Sequence, residues 1–415
     1  MGFFANRGIN RLALHIGLHQ FAWCASGVFF GVYLLREGLP PAMIFLTGGA
    51  TLLLRFLVRP VILYVVPRLG LGWTLAIGTL LSAMQYPAIG FVHGADLALG
   101  AFATLGAFAG IFYWPCYHAF FATIGDAHFR GSQIGIRQLV MGLSAVLGPL
   151  VGGVMLTNFG PWVAFGTAAS IEVLAILPLL GLNAPAVPRI SPRGAYAAAR
   201  TGVLLFGIDG WIVCCAALAW DIVVFRSLQS RYDAFGGTLA LAALAGAAGS
   251  VLLGRVIDLG HARPATWLNA SVLVAALLAR ALCGTQPAAI IAIAILTTAL
   301  GGIYTPTLMT AFYNMAKSSP CPFRFQFAAE GGWDLGGVAA SLAAAALCAV
   351  GLPLQMVMLL ALPAVLIQAR LLARIYGAQN KAARNSPRLP AFNPALYLPR
   401  FWFRMGLTKR PKPVR

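Results

Sequence analysis

Hydrophobic and polar positions along this chain do not alternate with a strand period. They fall into long apolar runs, rich in Ala, Leu and Gly, separated by short polar breaks. Twelve such runs are predicted, at 11–35, 41–66, 72–92, 96–123, 135–157, 161–182, 201–226, 236–256, 264–283, 287–316, 330–350 and 352–374. Each approaches the roughly 20 residues an α-helix needs to cross the hydrocarbon core. Only helices and closed barrels satisfy every backbone polar group inside lipid. A barrel would give short alternating segments, so the pattern predicts an all-α polytopic membrane protein with twelve transmembrane helices.

Composition strengthens this expectation. Hydrophobic residues make up 60% of the chain and charged residues 9%, against about 25% charged in soluble domains. The longest polar break between runs is 183–200, with three Pro and three Arg. It divides the runs six and six, so the expected units are a bundle over 1–182, a linker over 183–200, a second bundle over 201–374 and a basic tail over 375–415. Parallel six-helix repeats around a central linker are an architecture of transporters.

The net charge of +19 is explained by topology. With the first run starting on the cytoplasmic side, 14 Lys/Arg up to Arg324 and 11 from Arg370 onward fall inside, 14 + 11 = 25, against four (Arg36, Arg226, Arg231, Arg280) toward the outside. The positive-inside rule then places both termini in the cytoplasm. No nucleic-acid partner is expected from this charge. The tail from Gly377 holds nine Lys/Arg, no acid and the run Leu398-Pro-Arg-Phe-Trp-Phe-Arg404, which suits adsorption to an anionic leaflet.

Gly135, Ser144, Gly148-Pro149 and Gly152-Gly153 resemble the helix-5 antiporter motif of the major facilitator superfamily, with Ser144 where that pattern has Gly. Gly254-Arg-Val-Ile-Asp258-Leu-Gly260-His-Ala-Arg263 looks like a shortened copy of the superfamily's loop motif. The equivalent loop after segment 2 keeps Arg68 and Gly70 but has Leu63 and Pro67 where the motif has Gly and Asp. The resemblance spans about residues 10–375. It implies a secondary transporter in two pseudo-symmetric bundles, working by alternating access, with export favoured by the helix-5 motif. A transporter-like assembly factor or a lipid flippase is the alternative.

That resemblance also sets expected pairings. The loop after segment 2 lies against the inner end of segment 11, placing Arg59 and Arg68 opposite Glu330 and Asp334. The loop after segment 8 places Asp258 opposite Arg137. Glu330 and Asp334 are four residues apart, hence on one helix face. In the first turns of segment 11 their charge would also suit the helix dipole.

Segments 1, 4, 7 and 10 are expected, by the same resemblance, to line the solute path. They carry His15, His19, Gln20 and Trp23; Tyr113, Trp114, Tyr117 and His118; Asp209, Trp211, Trp220 and Asp221; and Tyr304, Thr305, Tyr313 and Asn314. His19, His118 and Asp209 are expected at similar depth, where such groups exchange protons near neutral pH. Of these, His19, Trp23, Trp114, His118, Asp209, Tyr304 and Asn314 are the candidate solute and proton residues.

Lys and Arg are absent from 12–35, 98–123, 201–225 and 287–316. An anion pocket would be expected to present Arg, so the expected cargo is neutral, amphipathic or cationic, unless Arg55 of segment 2 reaches the path. No Walker A sequence, zinc-protease motif, Rossmann fingerprint or nucleophile elbow is present. No enzyme activity, cofactor or metal is therefore expected. Expected partners are a small-molecule solute, protons and membrane lipids, with the protein a monomer in a bacterial cytoplasmic membrane.

Overall fold

In a computed structural model the described residues form helices joined by short connections, with no strand among them. The structure describes 7–124, 130–182, 186–258, 262–301 and 304–385, with the side chains of 130–138, 250–258, 262–263, 265, 305–306 and 379–385 outside that description. One compact unit extends to Ala373 and a second begins at Arg374.

The first six helices are α1 (Arg7–Arg36), α2 (Pro41–Val58), α3 (Val61–Ile89), α4 (Leu97–Ile124), α5 (Arg130–Asn158) and α6 (Gly160–Leu179). The second six are α7 (Ala195–Ser227), α8 (Tyr232–Asp258), α9 (Ala262–Leu282), α10 in two parts (Pro287–Gly301 and Tyr304–Ser318), α11 (Pro322–Ala349) and α12 from Leu354. Among the described residues, nine helices are long and apolar enough to cross a membrane, and Thr266–Leu282 and Pro287–Gly301 are shorter apolar helices.

Three boundaries differ from expectation for identifiable reasons. The second run ends at Val58, and α3 already starts at Val61. Its apolar positions Ile62 and Val66 are fully buried, so the start of α3 reads like a continuation of the second run. At Gly70 the backbone turns to φ 80°, a region L-residues disfavour. The loop motif's glycine thus has a conformational cause.

Helix α7 starts at Ala195, six residues before the predicted 201. Helix α11 starts at Pro322, eight before the predicted 330. There Phe323, Arg324, Phe325 and Gln326 are all buried. Their polar members interrupted the apolar run and hid two turns of helix. Glu330 and Asp334 therefore lie eight and twelve residues past the helix start. Dipole stabilisation fades within the first turn, so it does not account for them.

The bundles close on each other through small residues, which allow the close helix approach that membrane packing relies on. A Cβ on Gly49 of α2 would stand 3.2 Å from Ser341 of α11. A Cβ on Gly236 of α8 would strike the Pro149 carbonyl of α5, and one on Gly153 would strike the backbone of Tyr232. Gly148 and Gly152 seat α5 against Cys24 and Ala25 of α1. At the end away from the basic residues, one apolar core takes in both bundles, including Phe29, Phe30, Phe165, Trp220, Phe225 and Phe235.

Candidate functional site

Arg55 and Arg59 are four residues apart on α2, as Glu330 and Asp334 are on α11, so both pairs present one face. The two faces meet. Asp334 accepts from Arg55 through Oδ1 and from Arg59 through Oδ2. Asp334 is 0% exposed and Arg59 3%. One carboxylate of the second bundle is thus held by two guanidiniums of the first.

Arg55 extends beyond α2. Its Cδ would lie 2.8 Å from a Cβ on Gly110 of α4, and its guanidinium sits 5.2 Å from the Trp333 ring centroid. Gly110 therefore makes the space that Arg55 fills. Arg55 thus reaches α4 and α11 from α2, which is the exception that the expectation of an Arg-free path left open.

His118 of α4 joins the same interface. Its Nδ1 is hydrogen-bonded to Tyr313 Oη of α10 at 2.7 Å, and its Nε2 is 3.8 Å from Glu330 Oε1. Trp114 stacks on the His118 ring at 5.6 Å. Glu330 is buried and lies within electrostatic reach of Arg55 and Arg59.

Asp209 of α7 lies deeper in the second bundle. It accepts from Tyr304 Oη of α10 and, at 3.0 Å, from Trp333 Nε1 of α11. Gln368 of α12 contributes a further side-chain interaction. Trp333 therefore touches two charged groups, giving its N–H to Asp209 and its face to Arg55.

His19 pairs within the first bundle. Its Nδ1 donates to Glu172 Oε1 of α6 at 2.6 Å, and its ring stacks on Tyr113 at 3.9 Å. His15 Nδ1 donates to the Ala175 carbonyl at 2.8 Å. Glu172 is 0% exposed. Of the expected His19–His118–Asp209 group, His19 bonds Glu172 of α6 while His118 and Asp209 bond Tyr313 and Tyr304 of α10, and Trp114 lies against both histidine rings, at 5.9 and 5.6 Å.

The other candidates are dispersed. Arg68 is exposed, donates to the Tyr64 carbonyl at 2.8 Å and lies 3.3 Å over the Tyr64 ring, so it does not face Glu330 and Asp334. Its place is taken by Arg55, one turn from Arg59. Trp23 is exposed and meets Phe30 edge-on at 5.8 Å, and Asn314 is exposed. The expected pairing of Asp258 with Arg137 lies outside the described side chains. Gly135 lies in α5. Ser144, which replaces a motif Gly, donates to Gly17 of α1 at 3.3 Å and to Val140 within its own helix at 3.0 Å. Asp221 is within electrostatic reach of Arg280, which donates to Thr297 at 2.8 Å.

Sequence reasoning missed Trp333 and the pairing roles of Arg55, Glu172 and Tyr313. The Arg55/Arg59 spacing, matched to Glu330/Asp334, was a usable signal for the first pairing. For Trp333 no pattern in the chain marks its double contact.

The family model described as Major Facilitator Superfamily matches residues 12–320. A search of curated proteins by sequence finds no match. Among solved structures, the human organic anion transporter MFSD10 (TETRAN) aligns at TM-score 0.63 with 16% identity, over 88% of this chain and 99% of that one. The POT family transporter PepTSo aligns at 0.63 with 13% identity, over 90% and 99%. The E. coli fucose:proton symporter FucP aligns at 0.59 with 13% identity, over 87% and 97%. At these identities the likeness is one of fold.

Proposed function

Because this chain belongs to the major facilitator superfamily and is therefore a multi-pass secondary transporter, we propose that it moves a small solute between its two bundles by proton-coupled alternating access, with Asp334 and its two arginines as the latch. The observation that carries the proposal is that Asp334 of α11 bonds both Arg55 and Arg59 of α2. A charged group within a membrane span is costly and usually marks a solute or ion path. Here three such groups bind one bundle to the other, so the contact stabilises one relative position of the bundles. Any rearrangement that opens this level must break it.

Proton coupling is supported by the neighbours of the latch. Glu330, His118 and Asp209 lie beside it, and each is able to exchange protons, whereas Arg stays charged. The fucose:proton symporter named above is a fold relative described as proton-coupled. In this proposal the end bearing the basic residues is cytoplasmic, following the positive-inside rule. Gly148, Gly152 and Gly153 fit close packing of α5 on α1 and α8.

The test is proton movement in proteoliposomes, driven by a solute panel spanning anions, neutral compounds and cations. Movement in the wild type that is lost in Glu330→Gln supports coupled transport. No movement with any solute, together with co-isolation of the protein in a larger membrane complex, would favour an assembly role.

A further inference from the structure

This inference rests on the transport reading and names the chemistry of its cargo. We propose that Arg55 and Arg59 are the binding site for the anionic group of a water-soluble carboxylate, and that Asp334 fills that site in the closed protein as an internal counter-ion.

Parting the bundles would separate unlike charges. On the α2 side of the interface stand Arg55 and Arg59, and on the α11 side Asp334 and Glu330. Separation leaves two cations facing two carboxylates across a gap. The two sides have unequal remedies. A carboxylate is neutralised by taking up a proton, whereas guanidinium does not lose one in a protein. Protons therefore relieve the α11 side. Only an incoming anion neutralises the α2 side.

A second observation points the same way. Arg59 is 3% exposed, yet its Nε and Nη1 have no hydrogen-bond partner. Buried donors are ordinarily paired. Asp334 uses only Nη2 of Arg59, so the residue holds unspent donor capacity beside the latch. A ligand that satisfies it must bring acceptor oxygens, and guanidinium groups are well suited to carboxylates. Glu330, His118, Asp209 and Cys214 are the other titratable groups around the latch, and none of them supplies a fixed positive charge.

Enclosure separates a soluble cargo from a lipid headgroup. Asp334, twelve residues into α11, is 0% exposed and Arg59 is 3% exposed, so the site is shut between α2 and α11 and not open on a lipid-facing surface. Trp333, against Arg55, and Trp114, stacked on His118, flank the interface with aromatic surface. An aromatic carboxylate fits that setting, its ring against indole and its carboxylate on the guanidinium pair.

Benzoate is the probe, and the readout is thermal unfolding of the purified full chain in lipid-free detergent. Asp334→Asn removes the internal counter-ion. Benzoate is expected to raise the melting temperature of this variant more than that of wild type, with apparent affinity tighter by roughly tenfold, because the site is no longer self-occupied. Adding Arg59→Gln should abolish the effect, and tetraphenylphosphonium should not reproduce it. Benzoate leaving Asp334→Asn unmoved, or the cation stabilising it instead, overturns the proposal.

If Asp334→Asn does not purify, Glu330→Gln serves. It keeps both Arg–Asp334 contacts while removing one negative charge, so benzoate should stabilise it more than wild type, and equal shifts overturn the proposal. A cationic solute that drives proton movement in proteoliposomes, with no benzoate effect here, would end the anion assignment and leave the transport reading intact.

Discussion

Arg55 of α2 lies against Gly110 of α4 so closely that a Cβ on Gly110 would stand 2.8 Å from the arginine Cδ. That atom is mid-chain in a side chain fixed at its tip by Asp334, so it cannot swing clear and keep its bond. Gly110→Ala is expected to cost about 1–3 kcal/mol, as overpacking does, and to weaken proton-coupled transport. Gly331→Ala is the control. Its nearest neighbour would be 3.7 Å away, an ordinary contact, so stability and transport should hold. Thermal unfolding of the two variants side by side checks both expectations.

Asp334→Leu leaves two buried guanidiniums with no partner carboxylate between them. Breaking a buried ion pair from one side typically costs about 3–5 kcal/mol. The triple variant Arg55→Met/Arg59→Met/Asp334→Leu should recover much of that loss while remaining inactive in transport. Recovery of stability without activity, measured by denaturant unfolding and by proteoliposome assay, would show that the charges serve function more than stability. A triple variant no more stable than Asp334→Leu alone would count against the latch.

His118 and Tyr313 form a 2.7 Å hydrogen bond between α4 and α10. Tyr313→Phe and His118→Gln should each destabilise the closed interface. A double-mutant cycle should return a coupling of about 0.5–3 kcal/mol, as residues in direct contact do. Simple additivity would mean that the bond carries no weight.

Asp96 stands just before α4, where its carboxyl accepts the Leu99 backbone N–H at 2.9 Å and that of His93 at 3.2 Å. These bonds, the Leu99 one first, hold its pKa below the ordinary carboxylate value. A lowered pKa stabilises the fold above the unfolded value of about 3.9, and this is lost as pH falls through the folded value. Asp96→Ala should therefore lose stability at neutral pH, as N-cap removal does. Its deficit against wild type should narrow as pH drops below the carboxylate range, in parallel unfolding curves.

The fold was legible because lipid imposes a length and a composition on every span, so the apolar runs already marked the long apolar helices seen among the described residues. What misled was polarity inside protein. Arg324 and Gln326 are buried in the first two turns of α11, and they broke the run that would have located its start. Apolar Ile62 and Val66 had the opposite effect, extending the α2 run into the opening turns of α3, which packing buries.

The site was legible in part. Matching the sign of charge on α2 and α11 correctly brought Arg59 to Asp334. It placed Arg68 there as well, because a sequence gives the charge of a loop but not the direction of its side chains. In the structure Arg68 turns onto Tyr64 of its own helix. His19, His118 and Asp209 were grouped by depth along their helices. Depth leaves rotation about the helix axis undetermined, and rotation decides that His19 meets Glu172 while Asp209 meets Tyr304.

The most direct test of the latch is an electron-spin distance measurement across the basic end. Spin labels would be placed at Leu69 and Lys317, both exposed, in a background with the seven cysteines replaced. The wild-type pair should give a predominantly short distance, and Asp334→Asn should add a population at longer distance as α2 is released from α11. If Asp334→Asn is folded and its distance distribution superimposes on that of wild type, Asp334 does not hold the bundles together and the proposed latch is wrong.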